Sequence, residues 1–291
     1  MPIDAAKALA AEPRTGEITW TPRDVQLYHL GIGAGANPDK QDPATDPDEL
    51  RYTLESRLHV LPSFATVAGS GSPGVISGLS MPGVDVDLAR VLHGGQSLVI
   101  HRPLPVHGTA TATGRIAAVY DKGKAAVLVM RTEVADADGP LWTNDAQIFV
   151  RGEGGWGGDR GPSARLDPPA GDPDRTVDRP VRPDQALLYR LSGDYNPLHA
   201  DPEFAKVAGF DRPILHGLCT YGMTLKAVVD TLLGGDVTRV RSYTTRFAGA
   251  VYPGETLRIR MWRQEGAVRV EVSALERDDA PVLADTVVQH T

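Results

Sequence analysis

The sequence predicts an α+β protein built from two similar units, each an antiparallel sheet wrapped around one long helix. Apolar residues recur at helical spacing between about Gly217 and Leu233, and several β-branched segments follow them. The same coarse order of loop, helix and strands precedes a Gly- and Pro-rich stretch near the middle of the chain. We therefore expect two units packed side by side as a pseudo-dimer.

The first unit is predicted to span residues 1–152. Its helix is expected to begin near Leu61–Phe64. The strands that follow are predicted at about Ser97–Arg102, Thr109–Tyr120, Lys124–Val134 and Gln147–Arg151. Residues 153–183, which include Gly154–Gly158 and then Pro- and Asp-rich text, have the composition of a linker.

The second unit is predicted over residues 184–291. Its helix carries an apolar stripe formed by Leu218, Tyr221, Leu225, Val228 and Leu232. Its strands are expected near Val240–Phe247, Thr256–Gln264, Val268–Glu276 and Val282–Gln289.

The loops before the two helices align with each other. Gly193–Pro202 matches Gly35–Pro43 with one residue deleted, and Val251–Thr256 matches Pro105–Thr109. Lys40 stands where His199 stands, and the acid beside it is missing from the first copy. We interpret the chain as a duplication in which only the second copy kept its chemistry.

The loop Tyr189–His199 carries that chemistry. Asp194 and His199 lie on either side of Asn196-Pro197, where the residue before proline is biased out of the α conformation. An acid and an imidazole fixed on one bend are suited to general acid–base catalysis on a small molecule.

These residues resemble the MaoC-like dehydratase family, which has the hot-dog fold, and within it the (R)-specific enoyl-CoA hydratases of type 2. The family motif is matched by Tyr189, Ser192, Gly193, Asp194, Asn196, Pro197, Leu198, His199 and Ala205. The first half resembles the non-catalytic half of double hot-dog hydratases, through Leu92–Gln96 among other segments; Gly95 replaces an expected Glu. The resemblance covers almost the whole chain.

The resemblance implies reversible syn addition of water to a trans-2-enoyl thioester, which gives the (3R)-3-hydroxyacyl thioester. Asp194 and His199 would hold and deprotonate the water, and Asn196 would orient either the pair or the water; the sequence leaves open which of the pair takes the proton. The Gly217 backbone N–H, at the start of the long helix, is the expected donor to the thioester oxygen.

Substrate-binding residues are expected around the same loop. Arg190, Arg212 and Arg246 are candidates for the phosphates of CoA, because a guanidinium binds phosphate through paired hydrogen bonds. His216, Phe247 and Gly254 are expected along the thioester tunnel.

Composition and charge exclude several other classes. The net charge of −7 argues against nucleic acid as a partner, and no apolar run is long enough to span a membrane. The single cysteine, Cys219, excludes internal disulfides. We expect a cytoplasmic enzyme without metal or cofactor, since CoA is part of the substrate; a homodimer is compatible with the sequence but has no signal of its own.

Two other functions stay open at this point. One is dehydration of acyl chains on a carrier protein, and the other is a non-catalytic acyl-CoA-binding hot-dog protein. The intact Asp194–His199 pair argues against the second. The preferred interpretation is a hydro-lyase acting on medium- or long-chain acyl-CoA.

Overall fold

Within the part of the chain that the structure describes, ten strands form one continuous antiparallel sheet. The structure, a computed structural model, describes residues 3–69, 82–86, 90–162 and 165–291. The strands of the first half are β1 Arg14–Trp20, β2 Val91–Ile100, β3 Gly108–Asp121, β4 Ala125–Asp136 and β5 Gly139–Arg151. Those of the second half are β6 Arg175–Pro180, β7 Val240–Phe247, β8 Thr256–Gln264, β9 Ala267–Ala274 and β10 Ala280–His290.

The strand order repeats between the halves. The sheet reads β1-β3-β4-β5-β2-β7-β10-β9-β8-β6, so each half has the same order read outward from the centre. The halves meet at the antiparallel pair β2–β7, which runs from Gly95 opposite Arg246 to Val99 opposite Ser242. The duplication inferred from the loops is therefore matched by the topology.

Two edge strands were not predicted. Strand β1 pairs with β3, and β6 pairs with β8 from Arg175 opposite Met261 to Pro180 opposite Thr256. Strand β6 lies inside the predicted linker of residues 153–183, so the sheet of the second half begins before residue 184. Its sequence, Arg-Thr-Val-Asp-Arg-Pro, resembles linker because Val177 is its one aliphatic residue and no residue of the strand is fully buried.

The helices are α1 Ala5–Leu9, α2 Pro22–Gly31, α3 Pro47–Leu50, α4 Gln185–Tyr189, α5 Pro202–Val207 and α6 Gly217–Leu232. Helix α6 is the long helix predicted for the second half, and its residues 219–229 are buried. In the first half, the expected helix start is a short 3-10 helix, Pro62–Thr66. The expected continuation reaches residues 70–81, which lie outside the described residues. No helix in the described ranges is long and apolar enough to cross a membrane.

Helix α6 also joins the two halves. A side chain at Gly222 would meet Tyr28 and Ile32 of the first half within 2.7 Å. One turn later, the Lys226 ammonium lies 2.7 Å from the buried Glu49 carboxylate and 2.8 Å from Asp230. Close packing and a buried ion pair thus cross from one half to the other.

Candidate active site

The loop after α4 makes the bend that the sequence predicts. Gly193 adopts φ 116°, a left-handed conformation that glycine tolerates best, and turns the chain into Asp194. The Asp194 carboxylate accepts the Asn196 N–H at 3.1 Å, and the Asn196 side chain accepts the Leu198 N–H at 3.0 Å. These bonds fix the acid at the start of the bend and begin the 3-10 turn that ends at His199.

His199 is held as a neutral imidazole. Its Nδ1 donates to the Ile214 carbonyl at 2.8 Å, which leaves the lone pair on Nε2. Burial lowers the pKa of His199 below its ordinary value, and the neighbouring Asp194 carboxylate only partly opposes this effect. The imidazole is therefore uncharged near neutral pH and ready to accept a proton.

His216 holds both members of the pair in place. Its ring stacks on His199 with centroids 3.8 Å apart and planes inclined by 27°. Its Nε2 donates to the backbone carbonyl of Asp194 at 3.1 Å. Burial, with His199 nearby, lowers the pKa of His216 to about 3. His216 was predicted to bind substrate; it does not border the adjoining cavity and instead lies behind the pair.

A cavity of about 440 Å³, a size usual for small-molecule sites, opens at this pair. It is bordered by Val91, Leu92, His93, Ile148, Arg151, Asp194, Asn196, Leu198, His199, Phe210, Ile214, Leu215, Gly217, Leu218, Thr220, Phe247, Ala248, Gly249, Ala250, Val251 and Val282. Most of these residues are apolar, and three of the polar ones, Asp194, Asn196 and His199, belong to the sequence motif. The cavity therefore suits a ligand with one polar reacting group and an apolar chain.

Gly217 and Phe247 lie together at this cavity. Gly217 is the first residue of α6, and its N-cap His216 makes no side-chain capping bond, so first-turn N–H groups remain available at the cavity. The Phe247 ring lies 3.1 Å from where a Cβ on Gly217 would be. A side chain at this position would crowd Phe247, so glycine favours the close approach of both Phe247 and a ligand to this helix end.

The remaining predicted binding residues lie away from the cavity lining. Arg190 stacks on Tyr195, and Arg212 lies over Tyr252 and donates to the Pro253 carbonyl. Gly254 adopts φ 94° in the turn that begins near Tyr252.

Arg246 points elsewhere. It forms an ion pair with Asp285 at 2.7 Å and borders a separate groove of about 740 Å³.

Among the described residues, five of the first half border the cavity and were not predicted as site residues: Val91, Leu92, His93, Ile148 and Arg151. The Leu92–Gln96 segment, which resembles hydratases, was the available signal, but the resemblance assigns no role to its histidine. Their position follows from the β2–β7 pairing, which periodicity within one strand does not reveal.

Comparison with known families agrees with this geometry. Residues 166–280 match the MaoC like domain, and residues 18–152 match the MFE-2 hydratase 2 N-terminal domain. Enoyl-CoA hydratase ChsH3 of Mycobacterium tuberculosis is 48% identical over 285 residues, 98% of each chain.

The chain belongs to the MaoC-like dehydratase family. The peroxisomal enoyl-CoA hydratase 2 of Arabidopsis thaliana is 41% identical, over 89% of this chain and 87% of that protein. The crystal structure of a MaoC-like dehydratase from Phytophthora capsici has a TM-score of 0.87 and 32% identity, over 99% of this chain and 98% of that one. The predicted family and its double hot-dog fold are confirmed.

Proposed function

We propose that this MaoC-like dehydratase adds water reversibly to medium- or long-chain trans-2-enoyl-CoA and forms the (3R)-3-hydroxyacyl-CoA. The enzyme class is the best supported part: relatives named enoyl-CoA hydratase align with it over nearly their whole length. The observation that carries the mechanism is the neutral His199 imidazole, held beside Asp194 at the end of an apolar cavity.

The reaction needs one proton to move and one oxygen to be stabilised. In the hydration direction, His199 Nε2 takes a proton from a water molecule that the Asp194 carboxylate orients, and the water oxygen bonds to C3. The electron pair of the C2–C3 bond moves toward the thioester oxygen, which the Gly217 N–H stabilises at the positive end of α6. The proton then passes to C2 on the same face, which restores the Asp194–His199 pair.

The shape of the cavity supports a substrate longer than four carbons. From Asp194 the lining continues to Val91 and Leu92 of β2 and to Ile148 of β5. The acyl chain then lies against the first half, while the reacting carbons stay at the second. In our proposal, the first half, which lacks the catalytic motif, therefore binds the acyl chain.

Steady-state hydration of crotonyl-CoA and trans-2-decenoyl-CoA, followed by loss of the enoyl thioester absorbance, tests the proposal. Replacing Ile148 with Trp should lower kcat/KM for the ten-carbon substrate at least about tenfold, because a larger side chain fills the apolar cavity. The four-carbon substrate should change less than about threefold. Val99→Trp on exposed β2 surface is the matched control. Equal losses on both substrates would place the acyl chain elsewhere.

The same assay tests the remaining parts of the proposal. Asp194, His199 and His216 offer ligand atoms within 4.8 Å of one another, a spacing that a metal ion could use. Our mechanism uses no metal or cofactor, so activity should survive treatment with a chelator.

A relative 40% identical is named 3-hydroxyacyl-thioester dehydratase Y, a name that does not specify CoA, so acyl carrier protein thioesters belong in the substrate panel. The cytoplasmic location and the homodimer remain predictions.

A further inference from the structure

His93 lies in the half that lacks the catalytic motif, yet it reaches the active-site cavity. It is on β2, next to the strand pair that joins the halves. The pairing of β2 with β5 shifts between His93 and Gly95, so Gly94 is the extra residue of a β-bulge. Bulges re-aim a neighbouring side chain, and here the imidazole borders the same cavity as Asp194 and His199.

The surroundings of His93 resemble a binding position more than a packing position. Its ring meets the edge of Phe247 with centroids 4.8 Å apart, and Phe247 covers the first residue of α6, Gly217. Its Nε2 is buried and has no hydrogen-bond partner among the described residues. A buried polar atom without a partner costs about 1–3 kcal/mol, so a purely structural position would favour an apolar side chain.

His93 lies close enough to Asp194 for the carboxylate charge to affect its pKa, but we do not expect it to transfer protons. Burial lowers the pKa of His93 to about 4, while hydrogen bonds to Gly95 and Gln96 and the charge of Asp194 oppose the shift. The ring is therefore neutral in the pH range where His199 works as a base. A neutral imidazole can form a hydrogen bond there without competing for the proton.

We propose that His93 Nε2 hydrogen-bonds the polar, reacting end of the bound enoyl thioester and holds it in register with the Asp194–His199 pair. The half without the motif thus supplies one polar contact to the active site of the other half. This inference rests on the proposed hydration reaction. A single positioning contact of this kind affects how often the bound substrate reaches the reactive geometry, so its loss lowers kcat.

Two variants separate the hydrogen bond from the ring packing. His93→Gln keeps a polar group near the position of Nε2 but loses the ring, and His93→Phe keeps the ring against Phe247 but loses the nitrogen. We expect His93→Phe to lower kcat at least about tenfold and His93→Gln to stay within about threefold, with trans-2-enoyl-CoA of four and ten carbons. The pH dependence of kcat/KM should be unchanged in His93→Gln, because His93 is not the base.

The matched control is His101→Phe, since His101 is exposed, follows β2 directly and contacts Thr143 outside the cavity. Thermal unfolding of each variant verifies that it is folded. A folded His93→Phe as active as the wild type, or losses equal in the two folded variants, would overturn the proposal. If the wild-type protein hydrates neither substrate, it is the proposed function that fails, whatever the variants do.

Discussion

At the scale of single residues, the first half has neither the residues Asp194 and His199 nor the surroundings that they have in the second half. Asn37 accepts the Asp39 N–H, just as Asn196 accepts the Leu198 N–H, so the two bends are equivalent. Lys40, however, forms ion pairs with Asp46 and Asp48 on the surface. The bend is present in both halves, whereas the Asp–His pair is present only in the second.

Asp194→Asn and His199→Gln should each lower kcat at least about 10²-fold, because each removes a group that handles or orients the transferred proton. In the wild type, kcat/KM should fall with acid only below the ordinary histidine value of 6.5, since burial lowers the pKa of His199 and the neutral form persists to lower pH. Lys40→Ala is the control and should stay within about threefold. Turnover near the wild-type rate in either active-site variant would remove that residue from the mechanism.

His216 should act on the geometry of the pair. His216→Phe keeps the stacking on His199 but removes the hydrogen bond to the Asp194 carbonyl, so kcat should fall about tenfold while KM stays nearly constant. His216→Gln, which can restore that bond, should recover part of kcat. If both variants instead raise KM and leave kcat unchanged, His216 binds substrate as the sequence first suggested.

At the scale of elements, the sequence was most informative where a pattern is local. The stripe of α6 and the alternation in β7–β10 predicted those elements closely, because each covers one face of a core. Edge strands β1 and β6 were missed because their polar residues give little alternation. The Asp194–His199 motif was recognised from residue spacing, whereas the position of His93 at the cavity was not predicted, because it depends on pairing between distant strands.

Gly222 tests how tightly α6 packs against the first half. Glycine to alanine in a helix interior ordinarily stabilises a protein by about 0.5–1 kcal/mol. At Gly222 the new methyl group would lie 2.5 Å from the Tyr28 hydroxyl, so the sign should reverse to a loss of about 1–3 kcal/mol in the free energy of unfolding. Chemical denaturation measures this change. Combining it with Tyr28→Phe, which removes the contacting oxygen, should recover part of the loss; a stabilised Gly222→Ala protein would contradict the packing described above.

At the scale of the whole molecule, the candidate active site belongs to neither half alone. The second half provides Asp194, His199 and the start of α6, and the first half provides one wall of the cavity. The buried Glu49–Lys226 pair and the β2–β7 strand pair hold that wall in position. Our proposal assigns the proton transfers to the second half and the binding of the acyl chain to the first. The half without the motif would therefore be needed in the same chain.

The second half expressed alone, residues 166–291 including β6, should therefore be insoluble or at least about 10²-fold less active. Its β7 would lose β2 and become an open strand edge, which promotes aggregation, and the α6 surface around Gly222 and Lys226 would lose the residues that cover it. The matched control is the whole chain cut once in the exposed linker at Gly171, which keeps both halves present. Size-exclusion chromatography and the enoyl-CoA hydration assay should show the cut protein still assembled and active. A soluble, fully active second half would mean that the cavity wall from the first half is dispensable, and the proposed positions of the acyl chain and of His93 would both be wrong.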